Sequence, residues 1–186
     1  MKKICLIIIG LVYYISCFGQ KVALSDTVSI KLPKGAQTLT LDGFSATVTE
    51  QFGYSKIALK SIPSEKARIG EKYFYKVADI VVKLTHGKRR LKNKDSYLFE
   101  IKKTLDNLSN LGGNVDKSTS VIKTVHSNTV LINYYEEENV GYYDFYCNDV
   151  TNSIGLNGRL LFKLSDKDKA TTILNGMLDS VEFAKQ

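Results

Sequence analysis

The sequence predicts an α+β fold: an antiparallel β-sheet, a meander in its C-terminal half, with two or three helices packed on it. Three observations lead there. Residues 121–164 contain four runs of strand composition separated by turns of a few residues, and connections that short join antiparallel neighbours. Residues 98–111 place Leu98, Ile101, Leu105, Leu108 and Leu111 three or four apart, on one stripe of a helix. Residues 166–181 repeat that spacing after the last strand. Strands clustered in sequence, with helices between the groups, indicate α+β rather than strict alternation.

The chain begins MKKICLIIIGLVYYISCFGQK. Lys2 and Lys3 precede an apolar run over residues 4–18, a length suited to a secretory signal and short for a membrane span. Gly19, two residues after Cys17, fits cleavage before Gln20. Residues 1–19 are therefore expected to be a signal peptide and 20–186 a single domain. The minority alternative is a lipid anchor at Cys17, although Tyr14 and Ile15 depart from the residues such a signal prefers. No later run is apolar enough for a transmembrane span. The remaining about 165 residues are enough to bury a core without staples. They contain no repeat, low-complexity tract or linker.

The mature elements follow in order. Residues 27–33, TVSIKLP, alternate Val28, Ile30 and Leu32 against polar partners and stop at Pro33, which reads as a strand. Leu41, Phe44, Val48 and Phe52 then fall at helical spacing with Gly53 as a stop. Threonines and a competing alternation favour strand there, but helix is the reading taken. Residues 54–71 show no period. Residues 76–87, KVADIVVKLTHG, read as one strand, with Ile80, Val82 and Leu84 on one face and Val81 and Lys83 on the other. The helix over 98–111 closes at Gly112 and Gly113. Strands follow at 121–125, 129–136, 141–148 and 154–164, the last interrupted by Gly158. Ser165 and Asp168 form a capping box for a helix over 166–179, whose buried stripe is Ala170, Ile173, Leu174, Met177, Leu178 and Val181. An apolar tail, 181–183, ends the series.

Three of these features together resemble the PsbP-like fold, which the DcrB-like family shares. They are the opening strand ending LPKG, the helix-then-meander centre, and the close LLFKLSDKDKATTILNGMLDSVEF, where a strand feeds a capped helix and a Ser-Val-Glu-Phe tail. The resemblance covers most of residues 27–183 and is weakest over 39–71. It implies an exported α+β domain of the kind that serves as an extrinsic subunit of membrane complexes, an exported lipoprotein or a partner of a small GTPase. It brings no catalytic residues with it, and fold alone does not assign a task.

The residues themselves exclude more than they assign. Cys5 and Cys17 lie in the signal, so Cys147 has no partner for an internal disulfide. Cys147, His86 and His126 lack the local spacing of a zinc site or a Cys–His nucleophile pair. There is no G-x-S-x-G elbow, and NLGGN follows a helix rather than preceding one. No enzyme activity, cofactor or metal is expected. The net charge of +7 falls to +5 without Lys2 and Lys3, too modest for a dedicated nucleic-acid binder.

Two features are candidate contacts. Lys88, Arg89, Arg90, Lys92 and Lys94 form the basic stretch HGKRRLKNKD, either a solvated bend or a surface for an anionic lipid, glycan or protein. Tyr142 and Tyr146, with Tyr135 beside them, form either a half-exposed aromatic platform or a face lying under a helix. Tyr143, Phe145 and Cys147 point the opposite way, into a core. The expected function is an exported, periplasmic or secreted, non-enzymatic binding or scaffolding domain acting on a protein or other envelope component. The alternative is a small-ligand-binding envelope-stress protein with a pocket between sheet and helix.

Overall fold

The computed structural model describes residues 18–63, 72–88, 96–110 and 117–184. In chain order the elements are β1 (Phe18–Ser25), β2 (Val28–Pro33), β3 (Gln37–Leu39), α1 (Leu41–Phe52), α2 (Lys56–Ser61), β4 (Lys72–Val77), β5 (Ile80–Lys88), α3 (Tyr97–Asn110), β6 (Lys117–Val125), β7 (Asn128–Glu137), β8 (Val140–Asn148), β9 (Ile154–Lys163), a 3₁₀ turn (Leu164–Asp166), α4 (Lys167–Asp179) and β10 (Glu182–Phe183). The strands form two antiparallel sheets, β1-β2-β10 and β3-β4-β5-β9-β8-β7-β6. The fold class is α+β, as the sequence predicts. The meander β6-β7-β8-β9 is present, with β5 added to its open edge against β9.

Period-two alternation divides the large sheet between two cores. One face presents Val82, Leu84, Val130, Ile132, Phe145, Cys147, Leu156, Leu160 and Phe162. It packs with Ala170, Ile173, Leu174, Met177 and Leu178 of α4 and with Val28, Ile30 and Leu32 of β2. The small sheet and α4 thus cover this side, burying the stripe that the sequence assigns to the last helix. The other face presents Phe74, Val81, Val140 and Leu161 to Phe44, Val48 and Phe52 of α1 and to Ala58 of α2, with Leu105 of α3 packed against them.

Two glycines are required by close approach. A Cβ on Gly158 would lie 2.2 Å from the Phe145 ring, and one on Gly141 would lie 2.6 Å from the Phe162 ring. Each phenylalanine is the cross-strand partner of its glycine, so its ring occupies the space a side chain would take. Gly158, which interrupts the apolar series in β9, is the place where Phe145 fits.

Several elements differ from their sequence reading. Residues 76–87 are not one strand. Val77 pairs with Ile80, and the chain reverses at Ala78 (φ 52°) and Asp79. Ala-Asp lacks the Asn-Gly or Gly-X signature of a two-residue hairpin, so composition does not mark the reversal. The aperiodic segment 54–71 includes α2, whose cap is Ser55, accepting from the Ala58 amide at 3.3 Å. The helix expected from Leu41 is formed. Thr40 caps it, accepting from the Gly43 amide at 3.0 Å, and Gly53 ends it at φ 65°. The Ser165/Asp168 capping box is not formed. The 3₁₀ turn takes up Ser165, and α4 starts at Lys167 behind Asp166, which makes no side-chain cap. The apolar tail becomes β10 and pairs with β2. The Leu108 side chain and Leu111 to Gly113 lie outside the described residues. Cleavage before Gln20 would leave the β1 pairs from Gln20–Leu32 to Ser25–Val28 in place. No described helix is long and apolar enough to cross a membrane.

Candidate functional site

On the face covered by the three N-terminal helices, strand register aligns side chains into ranks across the large sheet. One rank is polar across the five strands from β5 to β6, and continues to the apolar Phe74 of β4 and Leu39 of β3. Lys83 of β5 faces Arg159 of β9, Arg159 faces Asp144 of β8, Asp144 faces Asn133 of β7, and Asn133 faces Ser120 of β6. The rank on one side, Val81, Leu161, Tyr142 and Tyr135, is the floor on which α1 packs. The rank on the other side carries Thr85, Asn157, Tyr146 and Leu131.

The polar rank is tied to α2. Arg159 donates from Nε to Asp144 Oδ1 at 2.5 Å and from Nη2 to Oδ2 at 2.6 Å, a two-pronged ion pair. Its Nη1 donates to the Ser61 hydroxyl at 3.1 Å, and its guanidinium lies 4.9 Å from the centre of the Tyr142 ring. Lys83 Nζ donates to the Ser61 carbonyl at 3.0 Å. Ser61, fully buried at the C-terminal end of α2, is therefore held by both cations. At the far end Ser120 donates to Asn133 Oδ1 at 2.7 Å.

The charges here do not cancel. Burial pushes the Lys83 ammonium down to about 8, and neighbouring Arg159 pushes it the same way; Asp144 opposes them only in part, and Lys72 adds to the depression. Arg159 is also opposed by burial, but the hydrogen bonds and charge of Asp144 hold it above its ordinary value. Asp144 thus serves Arg159 and, among the described residues, leaves Lys83 short of counter-charge. Burial raises the Tyr142 hydroxyl and pushes Tyr146 up to about 12.

Beside this rank is a cleft of about 350 Å³ lined by Lys60, Lys83, Thr85, Asp144, Tyr146, Asn157 and Arg159, with backbone from neighbouring positions. α2 supplies Lys60 and the sheet supplies the rest. Arg159 uses three of its five N–H groups in the contacts above, and Lys83 uses one of three. The cleft is thus a donor-rich, positively charged recess, able to hold and orient a polar ligand.

The sequence-derived candidates are distributed unevenly around it. Tyr146 lines the cleft. Tyr135 and Tyr142 are buried and stacked at 4.8 Å between ring centres, beneath α1 and next to the Arg159–Asp144 pair. Lys88 is the last residue of β5, with its side chain outside the described set, and Arg89, Arg90, Lys92 and Lys94 lie outside the described residues altogether. Cys147 is fully buried on the opposite face. Cys147 and His86 each pair with Leu156 from opposite sides, which separates them by two strand spacings, roughly 10 Å. His126 sits in the β6–β7 turn, its Nε2 3.1 Å from the Asp179 carbonyl. Among the described residues no group of three or more His, Cys, Asp or Glu is placed to hold a metal ion.

Sequence reasoning missed Lys83, Asp144, Arg159 and Ser61 as a group. A usable signal was present. IVVKL, YYDFY and GRLLF each hold one charge inside an apolar strand, and a charge on a strand flanked by buried neighbours needs a partner.

No family model matches this sequence, and no curated protein matches it. Among solved structures, the solution structure of cyanobacterial PsbP (CyanoP) from Synechocystis sp. PCC 6803 is similar over 90% of this chain and 94% of that one, at 9% identity and a TM-score of 0.48. LpqN, involved in cell envelope biogenesis of Mycobacterium tuberculosis, is similar over 89% of this chain and 90% of that one, at 11% identity and a TM-score of 0.47. One of the two is a PsbP protein, the family that the sequence motifs resemble. At these identities the likeness says nothing of individual side chains, so the site is read from its own.

Proposed function

We propose that this chain is an exported, non-enzymatic binding domain of the cell envelope that takes its ligand into the cleft between the large sheet and α2. The observation behind this reading is the in-register Lys83–Arg159–Asp144 row beside an open recess of about 350 Å³, within the range of small-ligand sites. The groups there suit holding a ligand better than transforming it. The carboxylate is committed to Arg159, and the Tyr146 hydroxyl is held well above neutral pH. Export is supported by the Lys2–Lys3 start and the apolar run after it. A protein or envelope partner is the second reading, favoured by one feature. β5 runs from Lys83 and Thr85 on the cleft to Lys88, where the basic stretch begins. Lys88, Arg89, Arg90, Lys92 and Lys94 are its proposed contacts with an anionic surface, and Tyr146 is its contact at the cleft.

Native mass spectrometry of residues 20–186, incubated with the small-molecule fraction of an envelope extract, tests the first reading. A bound mass that disappears when Thr85→Trp fills the recess supports it. No adduct, or one indifferent to Thr85→Trp, refutes it. Retention on anionic vesicles or a protein partner that is lost in Lys88→Glu/Arg89→Glu/Arg90→Glu and kept in Thr85→Trp would favour the second.

A further inference from the structure

We infer that the cleft is an oxyanion site, built to take a carboxylate or phosphate group of a small ligand between Lys83 and Arg159. The inference rests on the cleft being the working site and names what it recognises.

Like charges directly opposite each other on neighbouring strands repel, yet Lys83 and Arg159 are cross-strand partners. Lys72, close enough to depress Lys83 further, adds to the repulsion. The described lining holds three cations, Lys60, Lys83 and Arg159, against one carboxylate, Asp144. That carboxylate is used twice by Arg159 at 2.5 and 2.6 Å. Among the described residues Lys83 has the Ser61 carbonyl as its hydrogen-bond acceptor, which satisfies a donor without neutralising a charge.

A structural pin for α2 would not explain this. Holding the Ser61 carbonyl needs one donor, and a charge adds a desolvation cost to that role. The remaining donors match an oxyanion's needs. Beyond their contacts with described residues, two N–H groups remain on the guanidinium and two on the ammonium, and Thr85 and Tyr146 line the same cleft. A doubly charged oxyanion would supply the missing counter-charge, and the recess accommodates a sulfate, a phosphate or a short dicarboxylate.

The experiment is isothermal titration of residues 20–186 with sulfate, whose charge is constant over the range used, and separately with succinate and methyl phosphate to tell carboxylate from phosphate sources. Because Lys83 titrates at about 8 in the unliganded cleft, sulfate affinity is expected to fall by about tenfold between pH 7 and pH 9. Lys83→Arg should keep binding and lose most of that fall. Lys83→Met should abolish binding at both pH values. Lys60→Ala, an exposed change that does not disturb the core, should weaken binding by a few-fold. Lys169→Met, on the exposed side of α4, should leave it unchanged. Sulfate binding indifferent to both Lys83→Met and Lys60→Ala overturns the inference. If no oxyanion binds while a mass adduct sensitive to Thr85→Trp persists, the oxyanion assignment fails and the cleft reading stands. If neither is seen, both fail.

Discussion

Replacing Asp144 with alanine tests whether the polar rank is a coupled unit. Asp144 is 8% exposed and the Arg159 side chain 23%, so the substitution leaves a largely buried guanidinium facing the Lys83 ammonium without a carboxylate. Removing one partner of a buried pair costs about 3–5 kcal/mol. Arg159 keeps some solvent and the Ser61 hydroxyl, which places the expected loss near the lower end, about 3 kcal/mol. For a domain of this size each kcal/mol shifts Tm by about 2–4 °C, so the midpoint should fall by about 6–12 °C. Asp144→Leu/Arg159→Met removes both charges and keeps the volume. It should lie within about 1–2 kcal/mol of wild type, because the pair's Coulomb gain roughly offsets its desolvation. Thermal unfolding followed by circular dichroism, on residues 20–186 at pH 7 and low salt, measures all three proteins. A loss under about 1 kcal/mol for Asp144→Ala, or a double variant as unstable as the single, would refute the account of the rank.

Gly158→Ala should destabilise by at least about 2 kcal/mol, since its Cβ would stand 2.2 Å from the Phe145 ring; chemical denaturation should show Phe145→Leu recovering part of the loss in the double variant. The stability gap between Lys83→Met and wild type should depend on pH. Below about 8 the folded state carries a buried charge, and between about 8 and the ordinary 10.5 it has lost a proton that the unfolded chain retains. Stability therefore rises with pH in that window, and the advantage of Lys83→Met should shrink across it; a constant gap would contradict the assigned environment. Thr40→Ala removes the cap on the Gly43 amide and should cost about 1 kcal/mol by urea denaturation. Cys147, fully buried, should react with a thiol reagent only at the rate of unfolding, and rapid labelling of the native protein would place it wrongly.

The parts of the fold that were legible in sequence share one property: their periodicity reports local burial. The stripe of α4 and the alternation of Tyr143, Phe145 and Cys147 against Tyr142, Asp144 and Tyr146 appear in the structure as spaced. What was not legible depends on partners distant in sequence. β1 begins at Phe18, within the residues read as a signal, and is ordered by β2. β3 and β10 are too short for any period and exist through β4 and β2. The β4–β5 reversal at Ala78-Asp79 follows from pairing rather than turn chemistry. The site is the extreme case. Ser61, Lys83, Asp144 and Arg159 are scattered over 99 positions and meet only through the register of three strands and the docking of α2.

The same register separates what the fold requires from what it does not. Arg159 and Asp144 satisfy each other, and their loss as a pair is predicted to be nearly neutral. Tyr135 and Tyr142 bury aromatic area, which explains how Tyr142 and Tyr146 on one face of a strand, with Tyr135 beside them, can resemble a binding platform in sequence while two of the three floor a core. Lys83 is different. It occupies a strand position between Val82 and Leu84, both fully buried, with its own charge opposed by burial and by Arg159. Its hydrogen bond to Ser61 needs no charge, and the neighbouring carboxylate is already taken. Among the described residues the stability of the sheet gives no reason for an ammonium there. An anion entering the recess does, since it would turn the least favourable charge in the described structure into the one that selects the ligand.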